Sequence, residues 1–321
     1  MSAPYRWTLG EYVLRCEQGA DLSEVVVEGE LDRDLIVDAL RRWGAARTNV
    51  LDADYLHVSD AEVRSAGFPP GTKGRLLTVA TALESAKRAR DLAARVVGIV
   101  DRDYDISVSS GDLLLITDGH SLESYALSPP ALDRFARLVL GRGVLPVGSE
   151  GESAGRRTTC TGDDLYRRVS GALIEIGAVR LTLQSLSSPL GLFDGWARYV
   201  SVAPDGMLTT NGQALVRNVL DHAGLGHEHH LAESRLRQET ARVSADVFRL
   251  VRGHDFVSLL SKLLRSSWGR RIAGSHFATT NEASLARLLL VSVDPTQLDG
   301  TTLFAELRRR FAPARRLSRS S

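Results

Sequence analysis

Residues 95–105, RVVGIVDRDYD, hold an apolar run that ends in acids, with Asp101, Asp103 and Asp105 at alternating positions. A run of strand length that is apolar on both faces belongs in a parallel sheet covered on both sides. Side chains alternate along an extended chain, so one face of this segment would present all three aspartates. Residues 23–29, SEVVVEG, repeat the pattern with a β-branched run that ends in Glu28 and Gly29. Residues 112–119, DLLLITDG, form a third apolar run, closing on Asp118.

The segments between these runs read as helices and short strands. Residues 34–44, DLIVDALRRWG, carry apolar positions at helical spacing and close on Gly44. Residues 54–59, DYLHVS, fit a short strand, and after the FPPGTKG loop residues 76–94 fit one helix. Strands alternating with helices argue a parallel α/β sheet flanked by helices. In such sheets reactive groups collect outside the carboxyl ends of the strands, which is where these acids fall. Crowded carboxylates repel one another and call for a counter-charge. A hard divalent cation such as Mg²⁺, which takes oxygen ligands and keeps several waters, supplies one.

Beyond Pro129 and Pro130 the pattern changes. Residues 147–159 read as an exposed linker, and from Gly162 onward the chain is mostly helical. An extended insert is expected around LTLQSL (181–186) and WARYVSV (196–202). The expected organisation is an α/β domain over residues 1–145 and a mostly α-helical C-terminal domain over 146–321 with a basic tail.

The chain has 321 residues, is 43% hydrophobic and 25% charged, and carries a net charge of +1. That near-neutrality hides a division: residues 1–150 hold 17 basic and 23 acidic side chains, the remainder 23 and 16. An acidic half suits metal-binding acids, and a basic half suits contact with a polyanion. Two cysteines, Cys16 and Cys160, fit a reducing compartment. The chain shows no apolar run of membrane-spanning length and no export signal at its start, so a cytoplasmic protein is expected.

EVVVEGELDRDL (24–35) followed by VVGIVDRDYD (96–105) resembles the toprim domain. That Mg²⁺-dependent fold is shared by topoisomerases, DnaG-type primases and OLD-family nucleases. VEG-x-x-D-R, DRDYD and DGHSLESYAL (118–127) are similar to stand-alone toprim-like proteins of bacterial defence loci. Among these are the AriB-type effectors of the PARIS anti-phage system, which work with an ABC-type ATPase. The resemblance covers about residues 22–128, with a weaker echo at Gly253-His254-Asp255.

The resemblance implies a toprim-like sheet and a metal-dependent nuclease acting on RNA such as tRNA, or on DNA. Glu28 matches the toprim glutamate, a general acid/base or metal ligand, and Asp101 and Asp103 match the Mg²⁺-binding pair. Asp105 stands where many relatives carry a third acid, usually glutamate. Glu123 matches a recurrent acid of the defence branch and would complete a second metal site with Asp118. Two Mg²⁺ or Mn²⁺ ions, an ATPase partner and a homodimer follow as expectations. A non-catalytic, ATPase-bound regulatory subunit is the competing reading.

Other residues are weighed on their own chemistry. Lys73, in the GTKG loop, is the candidate to grip a phosphate; the alternative is a solvated lysine. Asp32 falls in the motif but, early in a helix, equally complements the helix dipole. His254 is a possible accessory to the acids, while Asp255 reads as a helix cap. His222 and GLGHEHH (224–230) lack the spacing of a zinc site. Residues 67–75, GFPPGTKGR, do not meet the Walker A pattern. Trp43, Trp196 and Trp268 read as core residues rather than stacking platforms.

Overall fold

The computed structural model describes residues 5–104, 110–139, 160–186, 194–273 and 280–312. The chain divides into two compact units, Met1–Asp118 with Pro295–Ser321, and Gly119–Asp294. The expected break near residue 145 falls outside the described residues; in this division the first unit ends at Asp118, and the C-terminal segment from Pro295 joins it.

The first unit contains β1 (Trp7–Thr8), α1 (Leu9–Gln18), β2 (Glu24–Val27), α2 (Glu30–Arg42), β3 (Asn49–Asp52) and β4 (Leu56–His57). It continues with α3 (Asp60–Ser65), α4 (Thr72–Glu84), α5 (Ala89–Ala93), β5 (Val96–Val100) and β6 (Leu114–Ile116). A four-stranded sheet runs in the order β3-β2-β5-β6, with every pairing parallel. Two of the expected apolar runs are its inner strands, β2 and β5, and the third supplies the edge strand β6. Val25, Val26 and Val27 of β2 are buried, as are Val96, Val97, Ile99 and Val100 of β5. Burying each such side chain contributes about 1.5–3 kcal/mol. On one side, Val26, Val96 and Val100 share a core with Tyr12 of α1 and Leu76, Val79 and Leu83 of α4.

Register aligns the strand ends. Val27 pairs with Asp52, Val26 with Gly98 and Val100 with Ile116. Because the strands are parallel, the residues following β2, β3, β5 and β6 emerge along one edge of the sheet. The opposite end is closed by Glu24, a buried acid that accepts from Tyr12 Oη at 3.1 Å and pairs with Arg15.

The expected helix over residues 76–94 is two helices, and the first begins earlier. Gly71, at φ +134°, turns the chain into α4, a conformation that favours glycine. Gly74 lets the 68–74 loop lie on the helix, since a Cβ there would sit 2.0 Å from Pro69 O. After Glu84 the helix stops, and Ser85 Oγ donates back to Thr81 O at 3.0 Å before α5 begins.

The second unit is largely helical. Its elements are α6 (Pro129–Val139), α7 (Gly162–Ser185), β7 (Val200–Val202), β8 (Leu208–Thr210), α8 (Gly212–His222) and α9 (His229–Ala245). They are followed by α10 (Val247–Leu250), α11 (Gly253–Arg265), α12 (Ser267–Ala273) and α13 (Glu282–Val291). Of the expected extended insert, only the end of WARYVSV is a strand, β7, and its hairpin partner is β8; LTLQSL is the end of α7. Its alternation of leucine with polar residues reads locally as a strand; packing of α7 against α6, α8, α9 and α11 decides otherwise. Asp255 is not a solvated cap. It is buried and receives Arg180 Nε and Nη2 at 2.6 and 2.7 Å, tying α11 to α7. Trp196 and Trp268 are buried, as expected of core residues.

The chain returns to the first unit with α14 (Pro295–Leu298) and α15 (Thr302–Phe311). α15 buries Leu303, Phe304 and Leu307, and Phe304 meets Trp43 edge to face. Among the described residues no helix is long and apolar enough to cross a membrane.

Candidate active site

Glu28 is the first residue beyond β2, and Asp101 the first beyond β5. The Asp101 backbone N–H donates to Glu28 Oε1 at 2.8 Å. Two acids far apart in sequence are thereby joined at the carboxyl edge of adjacent strands. α2 begins after Gly29, whose N–H donates to Asp32 Oδ2 at 2.9 Å. Asp32 therefore closes the first turn of α2, where a negative charge also complements the helix dipole.

Beyond Asp101 the chain leaves the extended conformation. Asp103 has φ +49°, the one positive value outside glycine among the described residues. Aspartate is among the few residues other than glycine that adopt this conformation readily. The positive φ breaks the alternation that would have put three aspartates on one face; Asp105 itself lies outside the described residues. The turn is clamped to the next strand: Arg102 N–H donates to Thr117 Oγ1 at 2.9 Å, and Arg102 Nε to Thr117 O at 3.1 Å.

Lys73 reaches the same turn from the first turn of α4 rather than from a loop. Its Nζ lies 3.1 Å from Asp103 Oδ2 and 3.3 Å from Arg102 O. The lysine side chain is 18% exposed and the aspartate 43%, so the pair is open to water on one side. Lys73 and Glu28 line a cavity of about 680 Å³ walled by Phe68, Pro69, Thr81 and Leu114. A concave site of mixed polar and apolar lining, at the carboxyl edge of a parallel sheet, is a common setting for a small-molecule or substrate site.

The edge holds a further acid that the sequence reading missed. Asp52 ends β3, is buried, and pairs with Arg33 Nη1 at 2.6 Å. NVLD, with only two apolar residues between Asn49 and Asp52, is too short to stand out as a strand, but it repeats the apolar-then-acid ending. Asp118 has a different use. Its Oδ1 and Oδ2 each accept a backbone N–H, from Thr302 and Leu303, at 2.9 Å, which caps the start of α15.

Glu123 and His254 belong to the second unit. Glu123 sits in a 3₁₀ turn, Leu122–Ala126, with its carboxylate buried, and Oε1 lies 3.6 Å from His254 Nε2. Gly253 makes this approach possible, because a Cβ there would come 2.5 Å from Glu123 Cβ. The resemblance at DGHSLESYAL and the echo at GHD thus converge on one place within that unit.

Among the described residues no group of three or more His, Cys, Asp or Glu side chains is arranged to hold a metal ion. The chemistry of the donors at the strand edge nonetheless suits Mg²⁺, which is often held by one or two carboxylates together with waters and substrate phosphates. Glu28 and Asp101 provide two such groups, with Asp103 beside them. No protein-family model matches the chain, and no curated protein matches it either.

Proposed function

We propose that the strand-edge acids form the catalytic centre of a toprim-type, metal-dependent nuclease that hydrolyses phosphodiester bonds in RNA such as tRNA, or in DNA. The observation that carries the reading is the Glu28–Asp101 hydrogen bond at the carboxyl edge of a parallel sheet, beside a cavity with a lysine in its wall. Glu28 and Asp101, with Asp103, would hold Mg²⁺ or Mn²⁺. When bound, such ions supply an activated water and stabilise the charge on the phosphoryl and leaving oxygens.

The chain's own residues do the positioning. The Asp101 amide fixes one oxygen of Glu28, so the carboxylate is oriented before substrate arrives. Lys73 places a compact positive charge at the cavity wall, suited to a non-bridging phosphate oxygen. The Arg102–Thr117 clamp holds the turn that carries Asp101 and Asp103. The resemblance offers Asp118 and Glu123 as second-ion ligands, but they belong to different units and Asp118 already serves the α15 cap; Asp105 lies outside the described residues.

A cytoplasmic anti-phage effector that dimerises and works with an ABC-type ATPase completes this reading, on the sequence resemblance alone. Cleavage assays on tRNA, single-stranded DNA and duplex DNA with Mg²⁺ or Mn²⁺, with and without the ATPase, test it. Cleavage by the wild type that Glu28→Gln abolishes is the expected result.

The competing reading is a toprim-like regulatory subunit without catalysis. What favours it is the present use of the acids: Asp103 by Lys73, Asp52 by Arg33 and Asp118 by α15. A wild type that leaves every polymer intact, yet binds the ATPase, would support that reading instead.

A further inference from the structure

Within the second unit, five cations gather around the β7–β8 hairpin and the α11–α12 pair. Arg168 of α7 donates to Asp205 O at 2.6 Å, and Arg271 of α12 donates to Pro204 O at 3.0 Å. Two guanidinium groups thus meet consecutive carbonyls of the hairpin turn. The Arg168 guanidinium also lies 4.5 Å over the Trp268 ring, which holds it flat. Gly206, at φ +88°, lets that ring approach the turn, since a Cβ there would fall 2.5 Å from it.

From α11, Lys262 Nζ donates to Ala197 O at 2.7 Å and Arg265 Nη2 to Thr280 O at 2.7 Å. Lys262 and Arg265 line a cavity of about 600 Å³ together with Ser258, Ser261 and Val202. Arg270 is exposed on α12. Among the described residues, each hydrogen bond made by Arg168, Lys262, Arg265 and Arg271 goes to a backbone carbonyl rather than to a carboxylate. The acids nearby are engaged: Asp205 Oδ1 accepts from Met207 N, and Glu282 Oε2 from Ser258 Oγ.

The contrast with the rest of the chain is chemical. Many arginines elsewhere pair with carboxylates, as in Arg180–Asp255, Arg217–Glu233 and Arg310–Glu306, while Arg95 and Arg102, like the cations here, donate to backbone carbonyls. Carbonyl hydrogen bonds orient a guanidinium without forming an ion pair; the charges that act on these cations are Asp164 near Arg168 and Glu282 in the wall of the Lys262 cavity. Partial burial lowers the Lys262 ammonium below its ordinary value, so an incoming anion would relieve a desolvated charge. Oriented arginines, a lysine and serine hydroxyls are the groups that contact phosphate oxygens in nucleic-acid complexes.

We propose that this face of the second unit, formed by Arg168, Lys262, Arg265, Arg270 and Arg271, binds the phosphodiester backbone of nucleic acid. The choice of nucleic acid as the polyanion rests on the proposed nuclease reading; the surface itself stands on its own residues. Its contacts are to backbone phosphates, so binding is salt-dependent and tolerant of base sequence.

The test is fluorescence anisotropy of the full chain with labelled single-stranded RNA, single-stranded DNA and duplex DNA, in EDTA, across a salt series. EDTA removes cleavage, so binding is read apart from catalysis. The triple variant Arg265→Gln/Arg270→Gln/Arg271→Gln is expected to bind at least about tenfold more weakly at low salt. Each lost phosphate contact should lower the slope of log K against log salt by about 1. Arg270→Glu alone, at an exposed position, is expected to weaken binding without altering the melting temperature. Arg235→Gln/Arg237→Gln on α9 is the control and is expected to bind as wild type. Wild-type affinity and slope in both patch variants would overturn the proposal, as would an equal loss in the control. Tighter, equally Arg270-dependent capture of poly-glutamate would overturn it in favour of an acidic protein partner. Patch-dependent binding without cleavage in Mg²⁺ or Mn²⁺ would sustain this surface while removing the nuclease reading.

Discussion

Glu28 Oε1 accepts the Asp101 backbone N–H at 2.8 Å, and this one bond joins the ends of β2 and β5 where the sheet opens. It makes charge and geometry separable. In Glu28→Gln the carboxamide oxygen keeps the acceptor, so the folded state should lose no more than the roughly 0.5–1.5 kcal/mol of a net hydrogen bond. Glu28→Ala removes the acceptor as well and should melt lower than Glu28→Gln, as measured by thermal denaturation.

Lys73 lines the same cavity as Glu28 and pairs with Asp103. Lys73→Gln should reduce cleavage by about 10²-fold or more, in the range seen when one charge-stabilising donor is removed. Its ion pair with Asp103 is partly exposed, so stability should fall by only about 0–1 kcal/mol. Single-turnover rates beside urea melts would check both; a large stability loss with unchanged rate would assign Lys73 to the fold alone.

Asp118 holds two amides of α15. Asp118→Ala should cost about 0.5–2 kcal/mol, the range for loss of a helix cap. The loss should appear in denaturant melts, with amide exchange in α15 faster than in wild type.

The Arg180–Asp255 pair is buried and bidentate. Removing one partner leaves an uncompensated charge, so Asp255→Ala should destabilise the chain by about 3–5 kcal/mol. Arg180→Met/Asp255→Leu should recover much of that loss, because replacing both partners with apolar groups leaves no buried charge. Chemical denaturation of the single and double variants checks the cycle.

Glu306 on α15 is held at a pKa of about 2, with hydrogen bonding to Arg309 as the largest cause. Its folded value lies below the ordinary carboxylate value of 4.5. The contribution is therefore present above the unfolded value and is lost as pH falls from about 5 toward 2. Melting temperature against pH should fall less steeply over that window in Glu306→Gln than in wild type.

The strand-edge acids were legible because β2 and β5 are apolar on both faces, so the run and its acidic end stand out together. The α/β character of the first half and the helical second half followed from the same periodicities. What escaped were pairings over long sequence distance. Asp255 looks like a helix cap until Arg180, on another helix, is brought beside it. Asp118 looks like one more strand-end acid until α15 returns to meet it. The alternation of Asp101, Asp103 and Asp105 assumed an extended chain, and the positive φ at Asp103 removes that assumption. Lys73 was read in a loop because Gly71 and Gly74 flank it, yet Gly71 supplies the turn that starts α4 one residue earlier.

The most direct test is metal-dependent cleavage by wild type and Glu28→Gln at matched folded fractions. RNA and DNA substrates should be compared with Mg²⁺, Mn²⁺ and EDTA. The wild type should cleave with either metal and not in EDTA, and Glu28→Gln should lose more than the roughly 100-fold typical of outer-shell partners. Cleavage by Glu28→Gln at the wild-type rate, or no wild-type cleavage under any condition, with or without the ATPase, would contradict the assignment of these acids to catalysis.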